Sequence, residues 1–437
     1  MQKNYCIVGL GSRGISMYAT DLMTTYADVA RLTGLCDHNE GRVQLARTYL
    51  HTDAPGYTDF DRMLDEVPCD VVIVTTQDSA HDEYIIRAMR RGKDVITEKP
   101  MTIDEHRCRA ILAAQRETGR DVKVTFNYRY SAFKTEVKRV LATGIVGDIH
   151  SVEFRWYLDT VHGADYFRRW HARKGNSGGL LVHKATHHFD LINWWIGSEP
   201  IEVAAMGSRQ YYTPERYPSH GSRCRTCDST QGCPFYLDLS RVEEFEQLYR
   251  KQESYDGYFR DQCVFSPEID IEDTMSVLIR YPRAVQVTYA LTAATPFEGW
   301  QVAFNGSKGR LEAFEPESFV TTEETTDYHR RAEDEVRRTV DWRTAEPGQY
   351  SDCQELSIRF YPLFGGVQVM KYPTVSDGHG GGDERLKDDL FREVRSDPLG
   401  HVADARAGAM SILVGVAANR SIAENRFVRI DELLSEP

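Results

Sequence analysis

Three histidines, a lysine and an aspartate sit between apolar residues in the stretch Ser177-Gly-Gly-Leu-Leu-Val-His-Lys-Ala-Thr-His-His-Phe-Asp-Leu-Ile-Asn-Trp-Trp195. On one helix, His183 and His187 would lie four apart on a single face. Lys184 and His188 would form a second such pair, with Asp190 three beyond His187. Two chemistries suit that set: the imidazoles hold a divalent metal, or one of them moves a proton near neutral pH. A zinc-hydrolase helix carries a glutamate beside its first histidine. Lys184 stands there instead, and a cation between two ligands opposes a metal. Proton transfer is the expectation.

Two further constellations carry chemistry. In Thr97-Glu98-Lys99-Pro100 the proline keeps Lys99 out of the helical region and ends a strand. A lysine then stands at the carboxyl edge of a parallel sheet, where such sheets bind ligands. Cys224-Arg-Thr-Cys227, Cys233 and Cys263 lie in a polar, aromatic insertion. Their spacing suits a structural zinc ion or an iron–sulfur cluster, a redox pair, or simply free thiols in a loop.

The elements around these residues divide the chain. Strands at Tyr5–Val8, Val29–Cys36, Val71–Thr75, Asp94–Thr97 and Val122–Phe126 alternate with helical patterns at Arg13–Thr25, Glu40–Leu50, Phe60–Glu66, Ala80–Arg91 and Ile103–Thr118. That alternation predicts a doubly wound parallel sheet over residues 1–126. Gly9-Leu-Gly11-Ser12-Arg13-Gly14 follows the first strand and opens the first helix, a dinucleotide fingerprint in its proper context. Asp37, ending the second strand, would accept the adenosine ribose hydroxyls and repel a 2′-phosphate, so NAD is expected over NADP. Arg13 and His38 are the residues that would admit NADP.

Residues 127–437 read as an α+β domain. A helix at Phe133–Thr143 is followed by strands at Ile149–Leu158, Ile201–Met206, Thr274–Arg280, Ala284–Thr292, Gln301–Asn305 and Arg310–Phe314, which suggests a largely antiparallel open sheet. An insertion occupies about 207–270, Glu315–Pro347 reads as irregular, and a last helix covers Val402–Asn425.

The 437 residues carry a formal net charge of −13, which excludes the basic footprint that a nucleic-acid partner requires. No stretch reaches the roughly 20 apolar residues of a membrane helix. No apolar signal core follows the first strand, so a cytoplasmic protein is expected. Nine cysteines fit no simple disulfide framework. Cys6, Cys36, Cys69 and Cys108 read as small buried hydrophobes.

The glycine fingerprint, Glu98-Lys99-Pro100, Asn127-Tyr128-Arg129, and Gly178-Gly179 followed by His187-x-x-Asp190 together resemble the Gfo/Idh/MocA oxidoreductases. The resemblance extends to Gly380-Gly-Gly-Asp383 and so covers nearly the whole chain. It implies an N-terminal Rossmann domain, a C-terminal α/β domain whose sheet serves a homodimer or homotetramer, and NAD(P)-dependent oxidation of a hydroxyl on a sugar, cyclitol or related compound. By position it makes Lys99 the active-site lysine, His187 the catalytic histidine and Asp190 the acid that orients it. Thr75, Thr76, Gln77 and His81 become the nicotinamide-side loop, joined at the cofactor by Glu98, Lys99 and Asn127. Arg129, Trp170, His171, His183, Lys184 and His188 are the candidate substrate contacts. The chain departs from the family at His183, where an aspartate is usual, and at Ala185, where glycine is usual. The first departure keeps a rival in view: a redox-neutral enzyme that retains its NAD and cleaves or epimerises a transiently oxidised sugar. A non-catalytic nucleotide-binding sensor is the second rival. Net NADH formation separates the dehydrogenase from the first rival, and NAD binding without turnover across a broad substrate screen would favour the second.

Overall fold

The computed structural model describes residues 2–319, 356–373, 380–392 and 396–435. The first sheet has seven strands in the order Ala403–Asp404, Val122–Val124, Asp94–Thr97, Val71–Val74, Lys3–Val8, Ala30–Cys36, Gly56–Tyr57. All neighbours are parallel except the two-residue Ala403–Asp404, which pairs antiparallel with Val122–Val124. Val71–Val74 is buried along its length, as a strand covered by helices on both faces must be. The helices begin where their capping residues dictate. Asn39, Asp59 and Asp104 each accept the backbone N–H three residues on, from Arg42, Arg62 and Arg107, satisfying a donor the helix cannot. The first helix differs from its expected regular form: Arg13–Ala19 has the wider π spacing, and only Thr20–Met23 is α-helical.

The second sheet has nine strands in the order Gln368–Tyr372, Leu356–Pro362, Gly309–Phe319, Phe297–Gly306, Ile149–Asp159, Gln286–Thr295, Thr274–Arg280, Glu202–Ser208, Val428–Arg429. It is antiparallel throughout except where Gln286–Thr295 runs parallel to Ile149–Asp159. Thr274–Arg280 alternates buried and exposed residue by residue, so one face packs on helices and the other is open. Part of the segment expected to be irregular is strand, since Gly309–Phe319 continues through Glu315; residues 320–355 lie outside the described residues. Among the described residues no helix is long and apolar enough to cross a membrane.

The stretch Ser177–Trp195 is not one helix. Ser177 ends the short helix Lys174–Ser177, and two more follow, Leu180–His183 and Thr186–Ile196. At the joint Ala185 N–H bonds back five residues to Leu180 O, and His187 N–H back three to Lys184 O. The helical phase therefore slips between the two histidines. The long helix Ala405–Glu424 packs against both pieces and against Glu202–Ser208. Its contact is close enough that a Cβ on Gly415 would stand 2.2 Å from the carbonyl oxygen of Leu181. Gly415→Ala should therefore lower stability by about 1–3 kcal/mol, the usual cost of overpacking, read as a fall in the urea midpoint at unchanged slope.

Candidate active site

A cavity of about 1040 Å³ runs from the glycine loop to the paired helices. At its first end the backbone is shaped for a close approach. Gly9 has φ +95, and a Cβ on Gly14 would lie 2.1 Å from Gly9 O, whereas at Gly11 it would meet only the Tyr249 hydroxyl, 3.7 Å away. The loop is thus packed tightly from behind and open towards the cavity, a cradle that suits a pyrophosphate on backbone N–H groups. Thr75 Oγ1 ties this loop to the end of Val71–Val74 by donating to Gly9 O at 2.6 Å. Asp37 lines the same end, its carboxylate accepting Leu10 N–H at 2.7 Å and Asn39 N–H at 2.8 Å. Those bonds hold the acid at the strand end, where ribose hydroxyls would reach it.

Gly9, Gly11, Ser12, Arg13, Thr75, Thr76 and Gln77 all line the cavity, with Gly14 buried just behind. His81 lines it too, but its ring nitrogens lie 2.9 Å from Pro100 O and 3.0 Å from Thr76 O, so it braces two loops. Arg13 is drawn to Glu98 at 2.8 Å and to Asp383 at 3.8 Å. It therefore stands beside the lysine strand and is not directed at a 2′-phosphate. Asn127 donates to Asp383 at 2.7 Å and keeps a buried Oδ1 with no hydrogen-bond partner among the described residues.

At the far end Lys99, Trp170, His171, His183, Lys184 and His187 share the cavity. Burial lowers the Lys99 pKa to about 8; Lys184 and Arg13 push the same way, while Asp78 and Glu98 resist. Glu98 stays ionised despite burial, its carboxylate held by Arg13 and by the Tyr18 hydroxyl at 2.6 Å. His187 is buried with its ring stacked on Tyr128 at 4.1 Å and edge-on to Phe126. His183 Nδ1 lies 2.5 Å from Asp78 Oδ2. Burial drives Asp78 well above the carboxylate range and His183 well below the imidazole range. Both shifts favour a neutral pair: a protonated Asp78 bonded to Nδ1, leaving Nε2–H as a donor on the other edge of the ring. His171 packs on Trp170 at 3.6 Å and against His183 at 4.2 Å. Its Nδ1 is buried with no partner among the described residues, and burial holds the ring neutral. Lys184 reaches Tyr128 Oη at 3.2 Å and Glu298 at 3.3 Å, and Glu298 also binds His162 at 2.8 Å.

Three expected site residues fall elsewhere. Asp190 does not orient His187: both its oxygens bind Arg129, at 2.5 and 2.7 Å, and Asp190 raises the Arg129 pKa against the pull of burial. Three residues along a helix turn the side chain about 60° from His187, enough to send it to Arg129. Arg129 is consequently committed to that pair and to Gly400 O at 3.0 Å, away from the cavity. His188 is fully buried, stacked on Trp156 at 4.2 Å with Nδ1 2.8 Å from the Tyr289 hydroxyl; it is a core histidine. Sequence reasoning in turn missed Asp78, His162, Tyr166, Arg169 and Glu298, all on the cavity wall or bonded to it. Asp78 had a signal, an acid one residue past the strand-end loop. Glu298 had none.

Cys224, Cys227, Cys233 and Cys263 do come together, around a separate apolar cavity of about 20 Å³. Among the described residues, however, no group of three or more His, Cys, Asp or Glu side chains is arranged to hold a metal ion. The expected zinc or iron–sulfur cluster thus finds no support. Their sulfurs accept backbone N–H groups instead, from Gly221 to Cys227 at 3.2 Å, Leu237 to Cys224 at 3.4 Å and Phe265 to Cys263 at 3.5 Å.

Comparison with known proteins agrees with this architecture. Residues 3–126 match the model of an oxidoreductase family's NAD-binding Rossmann fold, and residues 138–430 that family's C-terminal alpha/beta domain. YteT of Bacillus subtilis (strain 168), provisionally named an oxidoreductase, is 35% identical over 99% of this chain and 98% of its own. An inositol 2-dehydrogenase/D-chiro-inositol 3-dehydrogenase of Lactiplantibacillus plantarum is 25% identical over 47% of this chain and 55% of its own. The WlbA dehydrogenase of Bordetella pertussis, solved with NADH and UDP-GlcNAcA, shares the fold with a TM-score of 0.63 at 16% identity, over 98% of this chain and 99% of its own.

The Arg129–Asp190 pair yields a direct test of the second residue's role. Asp190→Ala should cost about 3–5 kcal/mol, because it leaves a buried guanidinium uncompensated, and joining it to Arg129→Met should recover most of the loss. Urea unfolding reads both. Recovery of stability by the second replacement marks a structural pair, and a loss confined to turnover would return Asp190 to the imidazole.

Proposed function

This chain belongs to the Gfo/Idh/MocA oxidoreductase family, and on that premise we propose that it interconverts a hydroxyl and a ketone on a sugar- or cyclitol-like substrate, with Lys99 and His187 handling the proton. The observation that carries the reading is Lys99 itself. An ammonium brought down to about 8 by burial stands in one cavity with a glycine-loop cradle and with His187. NAD suits the cradle, and Ser12, Asp37, Thr76 and Asn127 would hold it. When bound, the nicotinamide supplies the hydride acceptor or donor.

The chain's own residues do the rest. A neutral Lys99 accepts the hydroxyl proton as the alcohol is oxidised; a protonated one stabilises negative charge on the same oxygen in the reverse direction. His187, its plane fixed by Tyr128, passes that proton on or shares the oxygen. His183 Nε2–H and His171, neutral and buried, present hydrogen-bonding edges suited to hydroxyl groups without adding charge. Lys184 is restrained by Glu298 and sits 4.6 Å over the Trp156 ring. That restraint makes it a positioning group and the weaker candidate for proton transfer. The open face of the second sheet, where Met206, Leu278, Phe314 and Val369 are exposed, supports a homo-oligomer.

A panel of sugars, uronic acids and cyclitols, followed by NADH absorbance, tests the activity. Lys99→Ala and His187→Ala should each lower kcat about a hundred- to ten-thousand-fold; normal turnover in both would sink the assignment. In the oxidation direction the base must be unprotonated. The wild-type rate should therefore rise with pH, level off above about 8, and lose that limb in Lys99→Ala. Substrate conversion without net NADH would favour the redox-neutral rival, and binding of NAD with neither NADH nor product formed across the panel would favour a sensor.

A further inference from the structure

The insertion belongs in sequence to the second half of the chain, yet its residues 243–256 lie across the nucleotide half. Leu237, Leu239, Phe245, Leu248 and Tyr249 join one apolar cluster with Leu10, Leu35 and Val43. Polar contacts follow the same line. Asn39 Nδ2 donates to Gln252 O at 3.2 Å, and Arg42 Nε to Leu248 O at 3.3 Å. Arg42 also reaches Asp256 at 2.7 Å and Asp37 at 3.6 Å, so one guanidinium links the ribose-end acid to the insertion. Phe245, Tyr249, Asp256, Tyr258 and Arg260 form the cavity wall facing the glycine loop.

One contact identifies what this wall is for. Ser12 N–H, the fingerprint donor directed at the cavity, is met at 3.2 Å by the Tyr249 hydroxyl. That hydroxyl stands beside the loop where a pyrophosphate would lie, so a pyrophosphate oxygen taking over the Ser12 N–H would have the Tyr249 hydroxyl next to it as a donor. The Tyr249 ring is held in place by Arg260 at 4.7 Å, itself 3.5 Å from Asp165.

We propose that residues 243–260 are a clasp built over the dinucleotide, in which the Tyr249 hydroxyl donates to the pyrophosphate beside Ser12 N–H and Asp256 closes the ribose end through Arg42. This rests on the cavity being a dinucleotide site, and it adds that the cofactor leaves slowly. A cofactor that stays through successive turnovers suits chemistry that oxidises a substrate and then reduces it again on the same nicotinamide.

Full-length protein loaded with NADH and chased with excess NAD reports the dissociation rate by loss of fluorescence. Tyr249→Phe removes only the hydroxyl and Asp256→Asn only the charge. Each should speed release about tenfold, the effect of one charge-assisted hydrogen bond. Hydrogen exchange of residues 243–256 should slow on adding NAD to the wild type. Release within twofold of wild type in both variants, with exchange unchanged by NAD, overturns the clasp while the dinucleotide site stands. Failure of the wild type to bind NAD at all, by calorimetry, overturns the dinucleotide reading and the clasp with it.

Discussion

The site depends on keeping a cluster of ionisable groups out of water between the glycine loop and the paired helices. An isolated buried charge is too costly to persist, so each must be paired, hydrogen-bonded or neutralised. All three solutions occur in this cavity or just behind its wall. Lys134, behind the wall, is paired with Glu315 and Glu317 at 2.9 Å. Lys184 is hydrogen-bonded and rests on an aromatic face. Among the described residues Lys99 receives no such partner at close range, and its proton is loosened instead. The same desolvation that makes two of the lysines structural makes the third chemically useful.

His183 shows how the departure from the family pattern is accommodated. Where an aspartate is usual, an imidazole stands, and the carboxyl group is provided from the opposite side of the cavity by Asp78, which follows the Val71–Val74 strand. The pair therefore spans the two halves of the chain. Because burial favours the neutral forms of both groups, the pair offers hydrogen-bond directionality rather than net charge. A carboxylate at position 183 would face Lys99 as a counter-ion and raise its pKa; a neutral imidazole does not. The substitution and the loosened lysine proton are thus two aspects of one electrostatic arrangement.

How much of this was legible in the sequence follows from the range of the forces involved. The parallel sheet and the glycine loop were readable, because strand–helix alternation and a fingerprint in context depend on neighbours in the chain. Lys99 and His187 were singled out from motif and position, and the two side chains line one cavity. His188 was misplaced for a local reason: a phase slip at Lys184–Ala185 breaks its pairing with Lys184, and no proline or glycine marks it. Asp190 shares its helix with His187, and there the roughly 60° between them and the Arg129 guanidinium take its carboxylate elsewhere. Glu298 and Tyr249 were out of reach for a different reason. Each enters the site from a distant part of the chain, and nothing in its immediate surroundings distinguishes it from a strand glutamate or a buried tyrosine.

The insertion is held by the same kind of long-range packing. Its short helices contain few apolar residues of their own, and they gain burial by joining the nucleotide half's core cluster. Such a segment is stable only where it packs, so its stability and the integrity of the cavity wall are the same property. The clustered thiols at its far end contribute packing and sulfur-accepted hydrogen bonds. The end nearest the glycine loop is thus anchored by Arg42 and Asn39 from beneath and by Arg260 from the side. If residues 243–260 close over the dinucleotide as proposed, exchange of cofactor disturbs these contacts, whereas a substrate bound beside Trp170 and His171 leaves them in place. That asymmetry is what would let one nicotinamide serve many substrate molecules.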